Sequence, residues 1–276
     1  MTIFKQKQKL NVVVIGAGGR MGTMLTQTLI HDPHFTLVGA VVRQVSAPAP
    51  GDPGVSLDVQ ALANLFCNDL ESVIHGSDVL IDFSTRETTL HALSIAEKHN
   101  KAMVIGTTGF TLAEEKVIRE YGKRIPIVFE PNMSVGVNLI WKLLEQVAWV
   151  LGHDTDIEII ETHHRDKIDA PSGTALKMGH IIADSLNWDF DDVACFNRHG
   201  STEKRTHKQI GFQAIRAGDV IGDHTALFAG EGERIEITHK ASSRMSYVKG
   251  ALKAALWLSL QKPGLYDMHN VLGLKH

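Results

Sequence analysis

Two hydrophobic rhythms divide the chain. Up to about residue 132, short unbroken apolar runs alternate with helix-length amphipathic stretches. "NVVVIG" is β-branched and has no polar alternation, so it predicts a strand covered on both faces. A helix over Arg20 to Ile30 follows, then the strand "FTLVGAVV", a surface loop rich in Pro, Gly and Ser at 43–54, and the strand "DVLIDFS". Next come a helix over Glu87 to His99, the strand "AMVIGTTG", a helix over Thr111 to Tyr121 and the strand "IPIVFE". This β-α-β-α order predicts an α/β fold of Rossmann type, a doubly wound parallel sheet with right-handed crossovers.

After Asn132 the pattern changes. A long apolar helix is expected from Ser134 to about Leu151, then a half-buried alternating strand in "DIEIIETHH" and a helix over Thr174 to about Leu186. "IGFQAIRAGDVIGDHTALFAGEGERIEITHK" predicts at least three strands in sequential antiparallel order, and Met245 to about Leu260 a last helix. The expected plan is a first domain of residues 1–133 and 244–276, interrupted by an α+β domain of residues 134–243 with a mostly antiparallel sheet.

The first strand-to-helix turn carries chemistry. In "VVVIGAGGRMG", Gly16, Gly18, Gly19 and Gly22 let backbone N–H groups approach a pyrophosphate at a helix N-terminus. The strict G-x-G-x-x-G spacing is missed by one, because Met21 holds the third glycine's place. Its position after a buried strand opening a βαβ order supports a dinucleotide site in the first domain. The second strand ends Val41-Val42-Arg43 with no carboxylate for a ribose diol, and Arg43 suits a 2′-phosphate. Ligands of such sheets bind at the strands' carboxyl ends, where "DFST" (82–85), "GTTG" (106–109) and "EPNMS" (130–134) fall.

Composition narrows the classes. A net charge of −3 lacks the basic excess of a nucleic-acid platform. Cys67 and Cys195 stand alone, without CxxC spacing, as suits a reducing compartment. No apolar stretch approaches the ~20 residues of a membrane span, and no secretory leader is legible, so a cytoplasmic protein is expected.

"ETHHRDKIDAPSGTA" (161–175) concentrates the remaining chemistry. Adjacent histidines at a strand end point to opposite faces, which makes His163 and His164 a poor metal pair, and no metal is expected. An anion clamp fits better. Ser172 or Thr174 caps a helix whose Gly173 and Thr174 N–H groups can receive a carboxylate. Lys167 adds a positive charge or acts as an acid, and His163 or His164 supplies a proton near neutral pH. A reductase of amino-acid semialdehydes would show a cysteine nucleophile or a different base. A non-catalytic dinucleotide sensor would not need the cluster at 163–174.

"GAGGRMG", "GTTGF", "PNMSVGVNL", "HHRDKIDAPSGTA", "RAGDVIGDHTALFAGEGERIEITHKASSR" and "GLYDMHNVLGL" stand in an order that resembles the bacterial dihydrodipicolinate reductases across essentially the whole chain. The resemblance implies an NAD(P)H-dependent reduction of 4-hydroxy-tetrahydrodipicolinate with loss of water, in the diaminopimelate route to lysine. It implies His163 as general acid/base, Lys167 as proton donor, and His164 with Ser172, Gly173 and Thr174 on the substrate carboxylates. Cofactor contacts are implied at Gly16, Ala17, Gly18, Gly19, Arg20 and Met21, at Arg43, at Gly106, Thr107 and Thr108, and at Glu130, Pro131, Asn132 and Met133. Many relatives carry an acidic residue where Val42 stands, which favours NADPH over NADH here. The family resemblance further implies a homotetramer, assembled through the second domain, acting on a small dicarboxylate.

Overall fold

The computed structural model describes residues 9–43, 63–200 and 204–275, so most of the loop at 43–54 lies outside the described residues. The chain divides into two compact units, Met1–Ser134 with Tyr247–His276, and Val135–Ser246.

In the first unit β1 (Leu10–Ile15), α1 (Arg20–His31), β2 (Phe35–Val41), β3 (Phe66–Cys67), α2 (Glu71–Ile74), β4 (Val79–Asp82), α3 (Arg86–Lys98), β5 (Ala102–Ile105), α4 (Leu112–Gly122) and β6 (Pro126–Phe129) follow one another. The second unit contributes α5 (Val135–Leu151), β7 (Asp156–His163), α6 (Gly173–Ser185), α7 (Phe190–Val193), β8 (Ala194–Cys195), β9 (Ile210–Arg216), β10 (Gly222–Ala229) and β11 (Arg234–Ala241). The chain then returns to the first unit through α8 (Met245–Leu258), β12 (Gly264–Tyr266) and α9 (Met268–Leu272).

The first sheet is ordered β12-β6-β5-β4-β1-β2-β3, with every neighbouring pair parallel. Its strands lack polar alternation because both faces are covered. Val12, Val13, Val14, Leu80, Ile81, Met103, Val104 and Ile105 are all buried. Strand order reverses between β1 and β4, so the loops after these strands diverge and open a crevice at their carboxyl ends. Thr85 caps α3 through Thr88 N, and Thr111 with Glu114 forms a capping box on α4. These caps set where the loops "DFST" and "GTTG" give way to helix.

The second sheet is ordered β11-β10-β7-β9-β8. Its helix-covered face packs Ile157, Ile159, Phe212, Ala226 and Phe228 against Trp141, Leu144, Met178 and Ile182. Here the structure corrects the expectation of sequential antiparallel strands. β10 is antiparallel to β7 and to β11, but β9 runs parallel to β7, from Ile157↔Ile210 to His163↔Arg216. The link at 217–221 therefore passes over the carboxyl end of β7 rather than closing a hairpin. Ala217 N bonds His163 O, and Arg165 N bonds Gly218 O, which fasten the link there. Alternation in the sequence reports which face is buried and is silent on the pairing partner.

Candidate functional site

The first unit presents a backbone cradle. Gly16 has φ +80°, and a Cβ there would lie 2.5 Å from Phe83 O and 2.9 Å from Ser84 Cα. At Gly22 a Cβ would collide with Gly16 O and lie 2.6 Å from Ala17 Cα. Gly22 thus supplies the close helix–strand packing usually given by the third motif glycine, one residue later than the common spacing. Gly19 is the N-cap of α1 and no side chain caps the helix, so its first turn can face a ligand. Gly106 lies flat against the Phe83 ring, which a side chain at 106 would displace. These contacts suit the backbone approach that a pyrophosphate needs.

Asp82, at the end of β4, staples two of these loops together. Its carboxylate accepts from Ser84 N at 3.1 Å, Ser84 Oγ at 2.5 Å, Thr107 Oγ1 at 3.1 Å and Thr89 Oγ1. Thr107 Oγ1 in turn accepts from Ser84 N at 3.0 Å. Burial raises the Asp82 pKa, against the pull of these hydrogen bonds. The Thr107 hydroxyl is therefore used inside the protein, while Thr108 is exposed. Glu130, Asn132 and Met133 are buried, and Asn132 Oδ1 accepts from Ser134 N at 3.0 Å; Pro131 is exposed. Arg43 is exposed at the mouth of β2 beside half-buried Val42.

In the second unit the buried face of β7 changes character along its length. Ile157 and Ile159 lie in the core, and the same face then carries Glu161 and His163. Glu161 is 1% exposed and its carboxylate is fully engaged. Arg216 Nη1 and Nη2 donate to Oε2 and Oε1 at 2.8 Å each, Ser172 N donates to Oε1 at 3.1 Å, and His163 Nδ1 lies 2.5 Å from Oε2. Burial would raise the Glu161 pKa, but the hydrogen bonds from Arg216 and His163 outweigh it and hold the carboxyl below its usual range.

Ser172 is the N-cap of α6, its Oγ accepting from Ala175 N at 3.2 Å and lying 2.9 Å from His224 Nε2. His224, on β10 directly opposite Glu161, also packs edge-on against His163 with ring centroids 5.0 Å apart. Lys167 Nζ pairs with Asp169 Oδ1 at 2.7 Å and Oδ2 at 2.8 Å, and the lysine's hydrogen bond lowers the Asp169 pKa. Arg216 also holds the loop through Asp169 O at 2.7 Å. Gly173 has open space where a side chain would stand.

Burial, then the neighbouring His163, lowers the His224 pKa to about 4. Between pH 6.5 and about 4 the unfolded chain takes up a proton that the folded chain refuses, so stability falls as pH falls across that window. The expected loss is about 3 kcal/mol. Glu161 adds a loss of the same sign below the ordinary glutamate value of 4.5. Thermal melts between pH 7 and 4 should show a falling Tm, and His224→Gln should flatten the fall; an unchanged slope in that variant would remove His224 as its cause.

The structure therefore gathers His163 and Ser172 around Glu161, with Lys167 and Gly173 on the adjoining loop and helix start, and His164 half-buried after the strand. Sequence reasoning left Glu161 without a role and missed Arg216, His224 and Asp169. Arg216 and His224 lie 55 and 52 residues from Glu161 and Ser172 respectively, on strands whose register was not legible beforehand. Among the described residues no three His, Cys, Asp or Glu side chains are grouped for a metal ion, and no helix is long and apolar enough to cross a membrane.

Two family models match the chain in succession, dihydrodipicolinate reductase N-terminus over residues 10–133 and dihydrodipicolinate reductase C-terminus over residues 136–272. Among solved structures, a dipicolinate-bound dihydrodipicolinate reductase from Paenisporosarcina sp. TG-14 is similar at TM-score 0.74 and 23% identity, covering 95% of this chain and 99% of its own. An amine dehydrogenase from Mycobacterium smegmatis aligns at TM-score 0.53 and 13% identity, covering 95% of both chains. GenD2 of gentamicin A biosynthesis, solved with NAD, aligns at TM-score 0.55 and 11% identity, covering 93% of this chain and 88% of its own. The amine dehydrogenase and GenD2 share the fold, whereas the two family models together span both units, the glycine cradle and the Glu161–His163 strand end, and so this chain belongs to the dihydrodipicolinate reductases, NAD(P)H-dependent oxidoreductases of lysine biosynthesis.

Proposed function

We propose that the protein reduces 4-hydroxy-tetrahydrodipicolinate to tetrahydrodipicolinate, consuming one NAD(P)H and one proton and releasing NAD(P)⁺ and water. The bound nicotinamide supplies the hydride. Residues 16–21 and 106–108 and the backbone of 130–133 are assigned to holding the dinucleotide, with Arg43 on a 2′-phosphate. NADPH is the preferred cofactor on this reading, because Val42 offers no carboxylate to a ribose diol.

The observation that carries the reading is the polar end of β7 beside the start of α6. His163 provides the ring proton that must follow hydride addition to a conjugated imine. His164 and the Gly173 and Thr174 N–H groups take the substrate carboxylates, aided by the partial positive charge of a 13-residue helix. Lys167 meets the same dianion, exchanging its Asp169 partner for the substrate, and protonates the departing hydroxyl, while His163 takes up the ring proton lost with that water and returns it after hydride addition. The Paenisporosarcina relative was solved with dipicolinate, a planar dicarboxylate of matching shape and charge. Ser172 contributes by capping α6, since its hydroxyl is occupied by Ala175 N and His224.

A cytoplasmic homotetramer completes the proposal. It draws on the family resemblance and on the sheet face of the second unit turned away from its core, which carries Ile160, Leu227 and the 46%-exposed Ile215. The function is tested by mixing the protein with freshly generated 4-hydroxy-tetrahydrodipicolinate and following reduced-nicotinamide absorbance. Consumption of both cofactors with a higher kcat/KM for NADPH is expected. No consumption with either would overturn the assignment, and a preference for NADH would overturn the role given to Arg43.

A further inference from the structure

Three features make the surroundings of Glu161 more than a buried ion pair. The carboxylate accepts two parallel N–H bonds from one guanidinium, a geometry that fixes its plane. Its Oε2 also faces His163 Nδ1, and its Oε1 also takes the N–H of Ser172, the residue that caps α6. One side chain therefore touches both the imidazole and the start of the helix to which the substrate carboxylates are assigned.

We infer that Glu161, clamped by Arg216, is a positioning residue that fixes His163 as the Nδ1–H tautomer and sets its distance from the N-terminus of α6; this rests on the catalytic reading of His163 given above. An ionised carboxylate only accepts, so the facing ring nitrogen must carry hydrogen. Nε2 is then the atom that exchanges a proton with substrate. Rotation of the ring would break the contact at Nδ1, so the carboxylate also holds its orientation. Arg216 keeps Glu161 from turning towards any other donor, and through Asp169 O it ties the Lys167 loop to the same frame.

Glu161→Gln separates positioning from packing, because it keeps the shape. The oxygen of the substituted amide would be retained by Arg216 and its N–H₂ turned to His163 Nδ1, which would then have to accept. The ring would be driven to the Nε2–H tautomer, whose Nε2 can no longer take up a proton and whose Nδ1 has lost the carboxylate that supports the donating imidazolium, a defect worth orders of magnitude in carboxylate–histidine pairs of other enzymes. The expected result is a fall in kcat of about 100-fold or more, with cofactor Kd within about 2-fold of the parent. Arg216→Lys, which keeps a charge but loses the fork, should fall between the two. ¹⁵N NMR of histidine-labelled wild-type protein, at a pH where the ring is neutral, should show Nδ1 protonated and Nε2 bare for His163. That spectrum needs neither turnover nor a folded variant. Wild-type His163 in the Nε2–H form, or Glu161→Gln with undiminished kcat, overturns the inference. A wild-type protein that consumes no reduced cofactor overturns the functional reading instead, and the spectrum still decides the tautomer.

Discussion

Replacing His163 by Gln should lower kcat by about 10²–10³-fold while leaving the Kd of NADPH, measured by fluorescence titration, within about 2-fold. A positioned general acid contributes in that range, and His163 belongs to the second unit whereas the glycine cradle belongs to the first. Lys167→Met should cost as much in kcat/KM and should also raise the substrate KM. Its ammonium neutralises Asp169 at 2.7 and 2.8 Å, so the variant loses one positive charge and exposes a negative one to a dianion. The double variant Lys167→Met/Asp169→Asn should therefore recover part of the KM defect without recovering kcat. Equal loss of cofactor binding in the two single variants would argue that both act on the fold rather than on the reaction.

Gly22→Ala should be a severely damaging conservative change in the first unit. Its added methyl would meet the backbone of Gly16 and Ala17, atoms that cannot swing aside as a long side chain can. Overpacking of this kind costs about 1–3 kcal/mol, equivalent to a Tm loss of about 2–12 °C for a domain of this size. Relief would come only by pushing α1 away from β1, which opens the turn and should weaken NADPH binding at least 10-fold. Gly76→Ala is the matched control, because its Cβ would meet only Val73 O at 4.0 Å. Calorimetry and cofactor titration on the pair read both effects; a Gly22→Ala protein with unchanged Tm and Kd would show that the turn tolerates the methyl.

The first sheet was legible because its physics is local. A strand buried on both faces needs an unbroken apolar run, and "VVVI", "VLI" and "AMVI" supply one with no reference to the rest of the chain. A cap did the same for α6, where the structure chooses Ser172 over Thr174. Most boundaries shifted by a residue or two, the strand expected over "AMVIGTTG" ended four residues early at Ile105, and the two-residue strand β3 and the terminal β12 carried too few residues for any period to mark them. Gly22 was visible as a glycine one place late, but only its contact with Gly16 and Ala17 shows that it performs the packing of the missing motif glycine.

The residue types at the second unit's site were readable, whereas their grouping was not. His163, Lys167 and the Ser172–Thr174 turn lie within twelve residues, so covalent proximity announced them. Arg216 and His224 arrive from strands whose partners depend on the order β11-β10-β7-β9-β8, and alternation along a strand says nothing about which strand lies beside it. By itself the sequence determined the parallel sheet, the glycine turn between β1 and α1 and the stock of titratable side chains at 161–169, because each depends on neighbours a few residues apart. Only the tertiary structure decided that Glu161 joins Arg216, His163 and Ser172, since a buried carboxylate takes its meaning from donors that the folded chain brings from far away.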